Sequence, residues 1–245
     1  MAESEKVNSL FGYLSAARHN VKAEVPNYIT LFDQALGMIG TYPKYESGLA
    51  SLRMILLAHS SLRASIFLNL AGATSQVPPL LRHSVEASLY GFEFANDREA
   101  FNIWKSREDG VKEKKNARNR LSYGRLRGQL ERTSPNFAHE MDILYDDLLM
   151  LGAHPNVAQI VMVSASSISE GDDYGTSNFE YLMSSTEREI SWAFIASSYR
   201  IAIETYRLIF PREFLMLGME AIFRDAAYHL GRDALAEPHE GEGIN

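Results

Sequence analysis

The 245-residue sequence contains no cysteine, which excludes disulfide bonds, thiol catalysis and cysteine-based zinc sites. It also lacks any run of 18 apolar residues, so no membrane-spanning helix is expected. The acidic start, Met-Ala-Glu-Ser-Glu-Lys, has no apolar segment typical of a signal peptide, and we therefore predict a cytoplasmic protein.

Several catalytic motifs are missing as well. Glycine-rich phosphate-binding loops and the Gly-x-Ser-x-Gly motif do not occur, so nucleotide hydrolysis and serine-esterase chemistry have no support. Neither His-Glu-x-x-His nor Glu-x-x-His occurs, and the second of these is the pair that a di-iron bundle repeats on two helices. We therefore expect neither a metal nor another cofactor.

Most of the sequence has the apolar periodicity of helices. We predict an all-α fold, a single helical domain over 1–245 that forms a bundle of about eight helices, with a frayed tail at 236–245. One region, 159–183, contains a β-rich stretch at 159–163, a turn and a second stretch at 178–183, and predicts a small hairpin. An exposed loop is the alternative there. The longer helices are predicted at about 5–22, 26–40, 45–72, 78–95, 110–131, 134–151, 186–210 and 211–235. A short helix that Asp97 caps is expected to hold Phe101 and Trp104.

Charge is distributed unevenly along the chain. Residues 105–132 contain ten Lys or Arg and four acids, a net +6, which leaves −13 for the rest of a chain whose total is −7. Such an asymmetry can mark a surface that contacts nucleic acid, so RNA is a candidate partner of this basic segment. The alternative is a solvated helix whose cations pair with acids elsewhere on the fold.

Two places carry candidate site residues. Arg82 and Glu86 are four residues apart and share one face of a largely apolar helix. They either cross-link helices in the core, or Arg82 holds a phosphate or carboxylate while Glu86 orients it. His154 follows a helix C-terminus, where the helix dipole favours the protonated imidazole, and it suits proton transfer, phosphate contact or simple capping.

A weaker candidate lies near the C-terminus. Asp225 and His229 share a helix face, and Arg224 precedes His229 by five residues, a pattern that chance easily produces. Trp192, Tyr199 and Tyr206 could line a small-ligand pocket, although aromatic residues at helical spacing are more often core.

Two segments together carry a family resemblance. Arg82-x-x-x-Glu86 is followed by Asp97-x-x-x-Ala100-x-x-x-Trp104-x-x-Arg107, and later come Tyr145-x-x-Leu148 and His154-Pro155. Over roughly 50–210 the chain resembles bacterial all-helical proteins of unknown function that are distantly similar to HEPN-type domains, the helical modules of toxins and phage-defence proteins.

The resemblance implies a helical bundle, often dimeric, with a polar cleft. Many HEPN-type domains are metal-independent ribonucleases that use an Arg and a His a few residues apart on one helix. This chain departs from that pattern, because no Arg lies among the residues before His154 from Leu148 to Gly152. A ribonuclease site would therefore need Arg82 to supply the guanidinium from another helix.

Two hypotheses remain for the function. The first is a non-catalytic interaction or regulatory module, a homodimer that acts in stress or phage defence. The second is a metal-independent ribonuclease with His154 as general acid and base, Arg82 on the phosphate, and Tyr145 or Asp146 orienting the histidine. We favour the first.

Overall fold

A computed structural model describes residues 25–39, 48–153, 164–167, 176–179 and 185–235. Over these residues the protein is a helical bundle. Pro26 precedes the first described helix, α1 (Asn27–Ile39), and its carbonyl accepts hydrogen bonds from the backbone N–H groups of Ile29 and Thr30. Two long helices follow, α2 (Leu49–Leu70) and α3 (Val77–Asn96). A 3₁₀ turn at Thr74–Gln76 precedes α3.

Helices α2 and α3 pack closely along much of their length because small residues lie between them. Gly91 is the clearest case: a Cβ atom there would come within 3.2 Å of both the Ile55 side chain and the Ser51 carbonyl oxygen. Buried Ser84 and Ala87 also keep this side of α3 narrow. Close approach of this kind gives the dense packing that a protein core requires.

A set of shorter helices covers one end of α3. The short helix expected after Asp97 is confirmed as α4 (Arg98–Lys105), and the Asp97 carboxylate accepts hydrogen bonds from the N–H groups of Glu99 and Ala100 at its first turn. A 3₁₀ turn then leads into α5 (Val111–Arg120), α6 (Tyr123–Thr133) and α7 (Pro135–Leu148).

The prediction of a single helix over 110–131 is wrong in one respect, because the helix is interrupted between α5 and α6. Leu121 leaves helical geometry and is 5% exposed, and Ser122 adopts the extended backbone that precedes a helix. Leu121 is thus part of the buried core at the point where α5 ends. Residues 149–153 then form a π turn in which Gly152 has φ of 114°, the conformation expected of a glycine that ends a helix.

The C-terminal half is dominated by α8 (Ser185–Ile209), which packs against α1, α2 and α3. The helix expected over 211–235 is divided into α9 (Pro211–Met216) and α10 (Met219–Leu235). Gly218, with φ of 68°, permits the bend between them. Helix α10 packs on α1, which closes the bundle.

Two four-residue strands lie in the chain between α7 and α8. They are β1 (Ser164–Ser167) and β2 (Thr176–Phe179), an antiparallel pair in which Ser164 is opposite Phe179. The hairpin with strands at 159–163 and 178–183 is not supported: the first of those stretches lies outside the described residues, and β2 begins before the second. The helix expected at 5–22 and the tail at 236–245 also lie outside the described residues.

Candidate functional site

Arg82 and Glu86 form the ion pair that their spacing predicts. The Arg82 Nε atom donates to Glu86 Oε1 at 2.8 Å, and the Tyr145 hydroxyl of α7 donates to the same oxygen at 2.8 Å. The Arg82 guanidinium also lies over the Tyr145 ring, 5.6 Å from its centroid. Glu86 therefore ties α3 to α7, which is the cross-linking role considered from the sequence.

This ion pair is less buried than expected from the apolar helix around it. The Arg82 and Glu86 side chains are 24% and 32% exposed, so water screens both charges in part. Burial and the hydrogen bond to Glu86 raise the pKa of Tyr145 to about 12. Tyr145 is therefore protonated at neutral pH and acts as a hydrogen-bond donor, which makes it unsuitable as a general base.

The same network continues from Tyr145 into α6. The Tyr145 and Tyr123 rings stack with centroids 3.7 Å apart, and the Tyr123 hydroxyl donates to Asp142 Oδ1 at 3.0 Å. Arg127 donates from Nε to Asp142 Oδ2 at 2.6 Å and also pairs with Glu131. Burial and the nearby Asp142 carboxylate raise the pKa of Tyr123 well above its usual range. The polar groups in this network already form hydrogen bonds and ion pairs with one another.

The remaining predicted site residues are not brought together. His154 lies outside the described residues, so its distance from Arg82 is not defined. Asp146 is exposed on α7. Arg224 and His229 pair with different acids on α10: Arg224 lies 3.6 Å from Glu220, and His229 lies 3.6 Å from Asp225. Arg224 and His229 therefore do not act on a common partner in this geometry.

A second polar cluster, which the sequence analysis missed, joins three helices through one carboxylate. Asp33 of α1 accepts hydrogen bonds from His59 Nε2 at 2.6 Å, from Arg63 at 2.8 and 2.9 Å, and from the Tyr199 hydroxyl of α8 at 2.8 Å. Burial alone would raise the pKa of Asp33, but the hydrogen bonds from His59, Arg63 and Tyr199 lower it well below its usual range. We call these four residues the Asp33 cluster.

The Asp33 cluster is suited to holding the fold together. Tyr199 is fully buried, the His59 side chain is 8% exposed, and the more exposed Arg63 directs its guanidinium towards the carboxylate. The one sequence signal was local: His59 and Arg63 are four residues apart on α2 and share a face. Nothing local indicated Asp33 or Tyr199 as their partners.

Most cations of the basic segment have no acidic partner among the described residues. Arg107 pairs with Glu108, Arg120 with Glu93 and Asp97, and Arg127 with Asp142 and Glu131. The other seven side chains are exposed and form no ion pair within the part of the chain described, and we call them the basic surface: Lys105, Lys112, Lys114, Lys115, Arg118, Arg125 and Arg132.

The aromatic residues proposed to line a ligand pocket are part of the core. Trp192 is 4% exposed and Tyr206 is fully buried, as is Tyr199 in the Asp33 cluster. The two cavities described here are lined by other residues. Within the described ranges, no group of three or more His, Asp or Glu side chains is arranged to hold a metal ion.

Comparison of the chain with family models, curated proteins and solved structures finds no match. Over the described residues, no helix combines the length and apolar character needed to cross a membrane. The chemistry of the polar clusters and the basic surface is therefore the basis on which a function can be argued.

Proposed function

We propose that this chain is a non-catalytic interaction module that binds RNA through the basic surface on and around α5 and α6. The observation that carries the proposal is the set of seven exposed cations without an acidic partner among the described residues. Phosphate contacts by Lys and Arg supply most of the sequence-independent affinity of proteins for nucleic acids. A surface of this kind binds a polyanion without any reacting group.

Helix α5 concentrates this charge. It carries four members of the basic surface, and Ala117 is its one buried residue. Next to it, Arg107 lies over the half-buried Trp104 ring, 4.8 Å from the ring centroid. Aromatic rings and guanidinium planes are the groups on which unpaired RNA bases stack, so single-stranded RNA is the form of partner that this composition favours.

The alternative interpretation of Arg82 has less support. A phosphate-binding Arg82 would have to share its guanidinium with Glu86, and Glu86 is itself bound by Tyr145. Those contacts favour a structural role for the pair, and with it the non-catalytic hypothesis. The ribonuclease hypothesis, with His154 as acid and base, stays a prediction, and so does the homodimer.

One titration tests the RNA proposal. We would measure binding of a fluorescein-labelled single-stranded RNA by anisotropy at several salt concentrations, for the wild type and for Lys114→Gln/Lys115→Gln/Arg118→Gln. We expect the affinity to fall steeply with salt, and the slope of log K against log salt to become shallower by about 0.7 for each phosphate contact removed. The matched control is Arg212→Gln, an exposed cation on α9.

Two outcomes would contradict the proposal. The first is RNA affinity in the triple variant equal to that of the wild type, and the second is an equal loss in the control. Incubating the same RNA with wild type and His154→Ala, with and without EDTA, tests the other hypothesis. Cleavage that survives EDTA and disappears in His154→Ala would replace the non-catalytic module with a metal-independent ribonuclease.

A further inference from the structure

A cavity of about 240 Å³ opens between α7 and α8, and no residue of the basic surface lines it. Phe137, Leu144 and Ile201 form its floor and are almost completely buried. Half-buried Phe194 and the 53% exposed Ile143 complete its apolar side. We call this cavity and its edges the α7/α8 groove.

The size of the groove indicates what it holds. Sites for drug-sized molecules usually enclose about 300–1,000 Å³, and this cavity is smaller, so it suits one or two apolar side chains better than a whole ligand. A second cavity of about 40 Å³ shares Phe194 and is lined by Ile190, which is 56% exposed. Apolar surface therefore continues along α8, as in grooves that receive an amphipathic helix through residues spaced by three or four.

The charged side chains at the edge of the groove indicate the charge of the molecule that binds there. Glu140, Asp147 and Glu204 line it together with one cation, Arg200. Arg200 lies 3.4 Å from Glu140, so the charges of these two side chains offset each other. Arg207 donates to Glu204 at 2.6 Å. Asp147 is half-buried and has no ion pair or hydrogen bond among the described residues. The groove is thus apolar at its floor, and at its edge the one acid without a paired cation among the described residues is Asp147.

We propose that the α7/α8 groove binds a basic amphipathic helix of a partner protein, whose apolar side chains fill the cavity and whose Lys or Arg pairs with Asp147. Helix α5 of a second copy of this chain would be a poor occupant of the groove. The sequence of α5 contains only two apolar residues, and of these Ala117 is buried in its own fold. The proposal is independent of RNA binding, because the two surfaces use different residues.

The test uses the full chain and a defined probe. The probe is a fluorescein-labelled peptide of about 18 residues made of leucine and lysine, with leucines at i, i+3, i+4 and i+7, and its matched control has glutamate in place of lysine. Binding is measured by anisotropy at about 150 mM salt, so that distant charges are screened. The protein variants are Asp147→Asn and Ile143→Ser, and the control variant is Asp109→Asn, an exposed acid outside the groove.

We expect the lysine peptide to bind at least about tenfold more tightly than the glutamate peptide. Asp147→Asn and Ile143→Ser should each raise the dissociation constant about fivefold or more, while Asp109→Asn leaves it unchanged. Circular dichroism establishes that each variant is folded. Asp147→Asn preserves the side-chain shape, and it carries the test if Ile143→Ser fails to fold.

Three results would overturn the proposal. They are no binding of the lysine peptide, equal binding of the two peptides, and equal affinities in Asp147→Asn and Asp109→Asn. Sedimentation provides a further criterion: a wild-type dimer that Ile143→Ser converts to monomer would assign the groove to a second copy of this chain. RNA binding measured on Asp147→Asn and Ile143→Ser should not change, so failure of this proposal is distinguishable from failure of the RNA proposal.

Discussion

At the scale of single residues, Asp33 has the largest set of side-chain hydrogen bonds described in this fold. Its carboxylate accepts hydrogen bonds from two residues of α2 and one of α8, so a single side chain of α1 holds three helices in register. Hydrogen bonds to charged groups contribute about 1.5–3 kcal/mol each, and removing the shared acceptor leaves several donors unpaired at once. The Asp33 cluster is therefore where a conservative substitution should have a large effect.

Asp33→Asn should lower the free energy of unfolding at pH 7 by about 3 kcal/mol, since the neutral amide loses the charge that three donors share. The pKa of Asp33 is lowered in the folded protein, so the unfolded state binds more protons as pH falls. The stabilisation is present above the unfolded pKa of about 3.9 and is lost as pH falls towards the folded pKa. Urea unfolding at pH 7 and pH 3 measures this.

The difference in urea midpoint between wild type and Asp33→Asn should thus be larger at pH 7 than at pH 3. Asp109→Asn is the control, because Asp109 is exposed and its substitution should change neither midpoint. A difference that is the same at both pH values would mean that the carboxylate charge does not stabilise the fold.

Among single residues, some contacts could be predicted from the sequence and others could not. Asp97 was predictable as a helix cap because capping depends on one short side chain and the next three residues. The pairing of Arg82 with Glu86 was predictable from their spacing, but their exposure was not, since it depends on how α7 packs against α3. Asp33 and Tyr199 are far apart in sequence, and only the packing of α1 against α8 brings them together.

At the scale of elements, α5 is a ten-residue helix with little burial of its own. Ala117 is its one buried residue, and its C-terminal Arg120 pairs with Glu93 at 2.6 Å and with Asp97 at 2.5 Å. The Glu93 side chain is fully buried, and apart from the Arg120 guanidinium no hydrogen-bond partner of its carboxylate lies among the described residues. Arg120 is thus the charge that offsets a buried carboxylate, and it fixes the end of α5 against α3.

Arg120→Met should destabilise the protein by about 3 kcal/mol. Removing one partner of a buried ion pair costs about 3–5 kcal/mol, and the low end applies because Arg120 is 26% exposed. The double variant Glu93→Gln/Arg120→Met should recover part of this loss, because it removes the uncompensated charge. Urea midpoints of the two single variants and the double variant measure the coupling. Equal stability of Arg120→Met and wild type would exclude a stabilising role for the pair.

The breaks between elements were harder to predict than the elements. Apolar periodicity continues through Leu121, and neither Gly nor Pro marks the turn between α5 and α6, so the sequence favoured one helix there. The bend at Gly218 had a recognisable signal, a glycine of the type that ends helices, within a pattern that otherwise continues. The bend at Gly218 thus had a local sequence signal that the turn at Leu121 lacked.

At the scale of the whole molecule, the buried apolar residues form one cluster that extends from Tyr28 in α1 to Ala226 in α10. It includes Leu126 and Leu130 of α6, so this helix of the basic surface shares a core with the long central helices. A continuous core is the physical basis for cooperative unfolding of these helices as one unit.

The chain offers a direct test of that cooperativity, because it has two tryptophans in different parts of the core. Trp104 packs on Phe94 and Phe101 at the α4 end, and Trp192 is buried in α8. Trp192→Phe leaves Trp104 as the only fluorescent indole, and Trp104→Phe leaves Trp192. Each variant then reports urea unfolding of one region by fluorescence, while circular dichroism reports the helices as a whole.

We expect the fluorescence and circular dichroism transitions to coincide within each variant, because one core must be exposed at once. Comparing two probes in the same protein removes any change of stability that the Phe substitution causes. If the Trp104 signal is lost at a lower urea concentration than the helical signal, then α4 to α6 unfold separately from the long helices. The charge asymmetry of the chain would in that case coincide with a boundary in stability, and the basic surface would belong to a unit that opens while the rest of the bundle stays folded.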